Sequence, residues 1–336
     1  MSLTTPVFLR PLLARPVAIL GAGACGRGLT ALLDKLGVIE TQVYDQAHGT
    51  AFDFNVDAAA RCGLVIFSSD FSSDHPWLVT ARAAGCECMG ELDFAALFWR
   101  GQVIAVAGSE GREILVEFLA FALRSNGFEA SAVCDRGYPF AQLVAECGGG
   151  SLAAAEKIAV CEVNPSQAGT LRHFRADATL WTNYSEADFD GYLNPAACFA
   201  ANWTLVACTA PGGFVAGSSV QVFASRWHLP LPARAVVATA AQPADPLLAE
   251  TVFATYPMRE SFVLAAAWWG AAGFQPSELY AAARTFRLAR KCPSSDVETA
   301  ETARGLNSKI ADFLSTDVSP RNSTELHAIT LLNRPY

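Results

Sequence analysis

The sequence predicts an α/β protein with two consecutive nucleotide-type units: a Rossmann-like N-terminal domain over 1–100 and a phosphate-loop α/β domain over 101–287. Three observations point there. Short apolar runs of strand length alternate with stretches of helical spacing. Two of those strands lead through a glycine turn straight into a helix. The chain has 336 residues and is 52% hydrophobic, so it can bury cores for more than one domain.

From Pro16 the elements follow in order. VAILG reads as a buried strand, the glycine turn follows, RGLTALLDKLG has helical spacing, and a second strand closes at Tyr44 and Asp45, completing one βαβ unit. LVIFSS is the next strand, HPWLVTARAAG a helix, the stretch near Cys88 a short strand, and GELDFAALFWR runs up to a boundary at Arg100 and Gly101. VIAVAG then opens the second unit, turns through SEGRE and enters the helix ILVEFLAFALRSNG. SAVCD, KIAVCEV and ATLWTNY continue its sheet, and Val206 to Val237 reads as short strands between Gly and Pro turns. Helical spacing returns in SFVLAAAWWGAAG and SELYAAARTFRL, where the pair Trp268-Trp269 reads as packing residues. From Lys291 the tail is polar.

Composition narrows the function. Charged residues are 17% and the formal net charge is -8, with no basic run, which argues against a nucleic-acid surface. The longest apolar stretch, 262–274, is shorter than the roughly 18 to 20 residues that span a bilayer, so no membrane segment is expected. Apolar residues near the start are interrupted by Arg10 and Arg15, unlike a signal peptide. The ten cysteines lack paired C-x-x-C spacing and read as thiols of a reducing cytoplasm, the expected location. His75, His173 and His228 are isolated and read as surface or core residues.

Gly21, Gly23 and Gly26 form G-x-G-x-x-G between strand and helix, with Asp45 about 20 residues beyond. Such glycines let backbone N–H groups approach a pyrophosphate at a helix N-terminus, and the motif fits NAD, FAD or a UDP-sugar equally. The second loop, Gly108-Ser109-Glu110-Gly111-Arg112-Glu113, stands where a phosphate loop would. A working loop places a lysine on the phosphates and a hydroxyl on magnesium. Arg112 and Glu113 stand here instead, so the loop carries two carboxylates against one cation.

The segment LVIFSSDFSSDHPWLVTARAAGCECMGELDFAALFWRGQVIAVAGSEG resembles the Mur ligases, nearest the D-glutamate-adding branch, in which S-P-G, H-P and a G-E-hydrophobic-E run precede the phosphate loop. The resemblance is traceable to about residue 310. It implies a three-domain, ADP-forming amide ligase of peptidoglycan synthesis that binds a UDP-muramoyl peptide, ATP and magnesium, and an amino acid. It places Gly21, Gly23, Gly26, Asp45, Ser68 and Asp135 at the UDP-substrate, with Asp135 standing for the family's Asn. It places Gly108, Ser109, Gly111, Arg112 and Glu113 at the nucleotide, Glu162 and Arg112 as catalytic, and Glu162 and Asp188 at the metal.

Several matched positions depart from the pattern. The phosphate-loop lysine and the magnesium hydroxyl are replaced, and the Asp-His pair has become Ala187 and Asp188. Asn202 lies where a carbamylated lysine is expected, and the adenine segment falls on Met258, Arg259 and Phe262 without its asparagines. The tail after Leu288 is too short for the third domain, which is expected to be largely missing, with 288–336 its remnant. The expectation is therefore a degenerate Mur ligase homologue that does not take ATP and magnesium, its remaining partner being a UDP-muramoyl-type molecule or a protein. An active ligase with an altered site and an NAD-binding oxidoreductase are the alternatives.

Overall fold

The computed structural model describes residues 4–147, 155–187, 192–240 and 245–287. The chain divides into two compact units, Met1–Arg287 and Leu288–Tyr336, and every described residue lies in the first. The expected remnant of a third domain lies outside the described residues, as does Asp188.

After a short helix α1 (Arg10–Leu13), the first sheet takes β1 (Val17–Leu20), β2 (Thr41–Tyr44), β3 (Leu64–Phe67) and β4 (Glu87–Gly90), all parallel in the order β2-β1-β3-β4. The intervening helices are α2 (Ala24–Leu36), α3 (Val56–Arg61) and α4 (Pro76–Ala83), and α5 (Glu91–Ala96) follows β4. β1 and β3 are buried at every position, as parallel strands covered by helices on both faces must be.

The second sheet is six-stranded and parallel, in the order β10-β9-β8-β5-β7-β6. Its strands are β5 (Gln102–Ala107), β6 (Ala130–Val133), β7 (Ile158–Glu162), β8 (Ala178–Trp181), β9 (Phe214–Gly217) and β10 (Val236–Ala238). The helices are α6 (Arg112–Ser125), α7 (Phe140–Glu146), α8 (Pro165–Ala168), α9 (Pro195–Cys208), α10 (Ser218–Arg226), α11 (Met258–Ala271) and α12 (Pro276–Thr285). In both sheets the strand order reverses beside the strand that carries a glycine loop, β1 in one and β5 in the other. Such switch points open a crevice at the carboxyl ends of the strands, where ligands of open α/β sheets bind.

Between Val206 and Val237 the structure corrects the sequence reading. Val206 belongs to α9, and Ser218–Arg226 is helix α10, leaving two strands in the region. α9 is apolar on nearly every side, so it shows no amphipathic period. Asn194 caps it by accepting the Ala197 N–H at 2.9 Å, and Pro195 occupies its first position.

One continuous apolar core joins the sheets, running from Leu29 and Leu33 through Phe94 and Phe98 to Phe140, Val144 and Phe199. A second core under α6, α11 and α12 stacks Phe118 against Phe253, Phe262 and Phe286. Trp269 is fully buried there and donates to the Gln275 carbonyl at 3.1 Å, so it is a packing residue as expected. Carboxylates of α5 fasten the sheets together. Asp93, 1% exposed, accepts the N–H groups of Arg172, His173 and Phe174 at 2.9, 2.7 and 2.8 Å. Glu91 accepts the Ala141 N–H in the first turn of α7 at 2.5 Å. At Gly28 a Cβ would lie 2.9 Å from Pro139, which explains how α2 lies so tightly on α7.

Candidate functional site

The first glycine loop leaves β1 at Gly21, whose φ of 101° favours glycine and whose missing Cβ would press on Ser68 Oγ at 2.7 Å. At Gly26 a Cβ would meet the Gly21 carbonyl at 2.0 Å, so that glycine serves the strand-to-helix turn itself. Gly23 differs. It has φ -63° and nothing within 4 Å of a Cβ, so neither backbone nor neighbours require glycine there. Asp45 lies one residue beyond β2. Its carboxylate accepts Ala22 N–H at 2.9 Å, Ala47 N–H at 2.9 Å and His48 N–H at 3.0 Å. Burial works against the ionised form, but these three donors outweigh it and hold Asp45 below the usual carboxylate range. Ser68, 5% exposed at the end of β3, has a buried Oγ with no partner among the described residues.

Asp135, after β6, sits between the two sheets. Its carboxylate accepts from Ser69 Oγ of the first sheet and from Asn164 Nδ2 of the second, the latter at 3.1 Å. Its carbonyl receives the Cys25 thiol, in the first turn of α2, at 3.2 Å. Asn164 also caps α8 in a reciprocal capping box with Gln167. The N-P-S-Q spelling signals that cap; the bond to Asp135 has no sequence signature.

The second loop connects β5 to α6. Gly108 has φ 145°, and a Cβ there would lie 1.9 Å from Thr182 Oγ1; Gly111 has φ 75°. The Asn183 side chain, after β8, accepts the N–H groups of Ser109 and Glu110 at 3.1 and 2.9 Å and donates to the Glu110 carbonyl at 3.0 Å. Two of the loop's amides are thus engaged by the protein itself. Arg112 Nε donates to Glu162 Oε1 at 2.8 Å, and its Nη1 donates to the Gly108 carbonyl at 2.7 Å. The pair is largely covered, with 23% of the Arg112 side chain and 11% of the Glu162 side chain exposed. Burial raises the Glu162 pKa; Arg112 opposes it, while Glu113 and Asp135 add to the rise.

The face of α11 against the loop is acidic. Burial and the charges of Glu110 and Glu260 raise the Tyr256 hydroxyl, and burial with Glu110, against Arg259, raises Glu260. Phe262, matched to the adenine segment, is 1% exposed in the aromatic core, while Met258 and Arg259 lie in the first turn of α11. Asn202 is buried on α9, its Oδ1 without a partner among the described residues. Among the described residues no His, Cys, Asp and Glu cluster could hold a metal. The His75 ring caps α4, His173 stacks on Phe8, and no helix is long and apolar enough to cross a membrane.

Two cavities stand out. One of about 10 Å³ lies between the sheets beside Ser69, Glu91 and Gln167, with room for about one water. The other, about 710 Å³, is lined by Arg10, Arg15, Ile39 and Glu40 at the opposite ends of β1 and β2 from Gly21.

The fold and paired loops define an α/β protein with a Rossmann-like unit followed by a phosphate-loop unit. No family model matches the chain. It is 27% identical over 170 residues to the UDP-N-acetylmuramoylalanine–D-glutamate ligase of Aquifex aeolicus, covering 51% of this chain and 39% of that protein. It is 29% identical over 169 residues to the ligase of the same name in Corynebacterium efficiens, covering 44% and 36%. In structure it is similar to UDP-N-acetylmuramate:L-alanyl-gamma-D-glutamyl-meso-diaminopimelate ligase from Neisseria meningitides, with a TM-score of 0.56 at 12% identity over 82% of this chain and 99% of that one. A murein peptide ligase from Psychrobacter arcticus gives 0.52 at 14% identity over 81% and 68%. In sequence over about half its length, and in fold, the chain is similar to the Mur ligases. It spans less than half the length of these curated relatives.

Proposed function

We propose that this protein holds a UDP-muramoyl-type ligand at its first glycine loop and does not drive amide formation with ATP, acting in peptidoglycan metabolism as a binding homologue of the ligases. The observation that carries this reading is the Arg112–Glu162 ion pair at 2.8 Å. The resemblance assigns Glu162 to magnesium and the Arg112 position to the phosphates. Here each is the other's partner.

The residues present do not fit a magnesium nucleotide. Arg112 would have to leave Glu162 and the Gly108 carbonyl to meet phosphate, and Glu113 offers a carboxylate where a hydroxyl belongs. The Ser109 and Glu110 amides that would face phosphate oxygens are on Asn183. Glu110, Glu113 and Glu260 add negative charge. A like-charge contact at 4 Å costs about 1 kcal/mol in bulk water and about 4 at an effective dielectric of 20, so several phosphate charges meet a strong barrier.

The first loop favours an anion instead. The 13-residue helix α2 presents its N-terminus there, Gly23 is open to close approach, and Ser68 Oγ is a buried group without a partner among the described residues. Calorimetry with UDP-N-acetylmuramoyl-alanine tests the binding half of the proposal: saturable binding that weakens in Gly23→Val is expected, and no binding would overturn it. ADP release with magnesium, ATP and D-glutamate tests the other half. None is expected, and release abolished by Arg112→Ala would overturn that half.

A further inference from the structure

We propose that Asp135 sets the ligand preference of the cleft: a diphosphate ligand whose far end is neutral or cationic is favoured, and one ending in a free carboxylate is held more weakly. The inference rests on the reading that the first glycine loop holds the diphosphate.

A contiguous path of contacts leads from one loop to the other and passes through Asp135. Ser68 Oγ stands 2.7 Å from the Cβ position of Gly21, and among the described residues its buried hydroxyl has no hydrogen-bond partner, which marks the start of the path as a place for a ligand oxygen. The next residue, Ser69, donates to the Asp135 carboxylate, which also accepts from Asn164, two residues after Glu162. Glu162 in turn meets Arg112 at the second loop. A ligand anchored by its phosphates at Gly21–Gly26 and extending toward the second loop therefore runs over Asp135.

Charge decides what passes. Both donors to the Asp135 carboxylate are neutral, and among the described residues no ion pair includes it. Two cations lie along the path, and each has an acidic partner: Arg112 is paired with Glu162, and Arg136, next to Asp135, with Asp70 at 3.8 Å. Cys25, in the first turn of α2, donates to the Asp135 backbone carbonyl and so ties the loop carrying Asp135 to the diphosphate helix, while Ser69 and Asn164 hold the carboxylate itself. A ligand carboxylate brought there meets like charge, whereas an amide or amine adds a donor to an acceptor that is already in place.

The test compares UDP-N-acetylmuramoyl-alanine with its C-terminal carboxamide by calorimetry on the full chain and on Asp135→Asn, which keeps one acceptor oxygen for Ser69 and Asn164. The wild type should bind the carboxamide more tightly by about tenfold or more, within the range a like-charge contact gives between bulk water and an effective dielectric of 20. Asp135→Asn should bring the two ligands within about threefold, and in the wild type the preference should shrink as salt is raised. Equal affinities in the wild type, a preference insensitive to salt, or a preference that survives Asp135→Asn would overturn this inference alone. If neither ligand binds the wild type, the reading of the first loop fails and takes the inference with it.

Discussion

Replacing Arg112 with alanine removes the cation that, among the described residues, forms an ion pair with Glu162, and its cost follows from the geometry. Glu162 keeps 11% of its side chain in water, so it is left as a mostly desolvated carboxylate facing Glu113 and Asp135. Breaking a fully buried pair costs about 3–5 kcal/mol, and a hydrogen bond to a charged group is worth about 1.5–3. With water still reaching Arg112, about 2–3 kcal/mol is expected at pH 7, including the loss of the bond to the Gly108 carbonyl. The deficit should depend on pH with a defined sign. The folded pKa of Glu162 is already above its usual value, and removing Arg112 raises it further, so the variant's stability is greater below that pKa and falls as pH rises through it. Urea denaturation at pH 5 and pH 7.5 measures this, and Arg112→Ala combined with Glu162→Gln should recover much of the loss. A deficit under about 0.5 kcal/mol, equal at both pH values and unchanged by the second substitution, would refute the view of the pair as a buried, mutually dependent plug.

The remaining predictions concern the frame. Asp93→Ala strands three N–H groups, that of Phe174 fully buried, and should cost about 2–3 kcal/mol in chemical denaturation, with Asp93→Asn losing less because one acceptor remains. Burial pushes Glu91 up to about 7, with Asp135 adding to the rise and the Ala141 and Phe140 N–H groups opposing it. Stability should therefore decline between about pH 4.5 and 7 by about 3 kcal/mol in total, and Glu91→Gln should flatten that slope. Gly108→Ala forces a methyl toward Thr182 Oγ1 at 1.9 Å from a backbone at φ 145° and should cost about 1–3 kcal/mol, read as a lowered denaturation midpoint.

Much of this architecture is legible in the sequence because strand–glycine–helix punctuation is local. β1 with Gly21–Gly26, β5 with Gly108–Gly111 and the strand ends at Asp45 and Ser68 all declare themselves by neighbouring residues. α9 and α10 were not legible. The first carries alanines on its exposed face as well as apolar residues on its buried one, so its period vanishes, and the second follows a strand directly at Gly217 with Val and Phe among its residues. The loop's charge imbalance could be counted from Glu110, Arg112 and Glu113. That Arg112 turns to Glu162, 50 residues away, and that Asn183 takes the loop amides could not, because these are contacts between strand ends adjacent only in the folded sheet. Asp135 likewise reads as a substitution in a loop, and its bridge between the sheets appears only in three dimensions.

The most direct test of the central claim is a calorimetric titration of the full chain with AMP-PNP and magnesium, repeated on Arg112→Lys combined with Glu113→Thr. The wild type should give no saturable heat up to millimolar nucleotide, since its loop cation is committed to Glu162. Micromolar binding by the wild type, lost on removal of magnesium, would contradict the account.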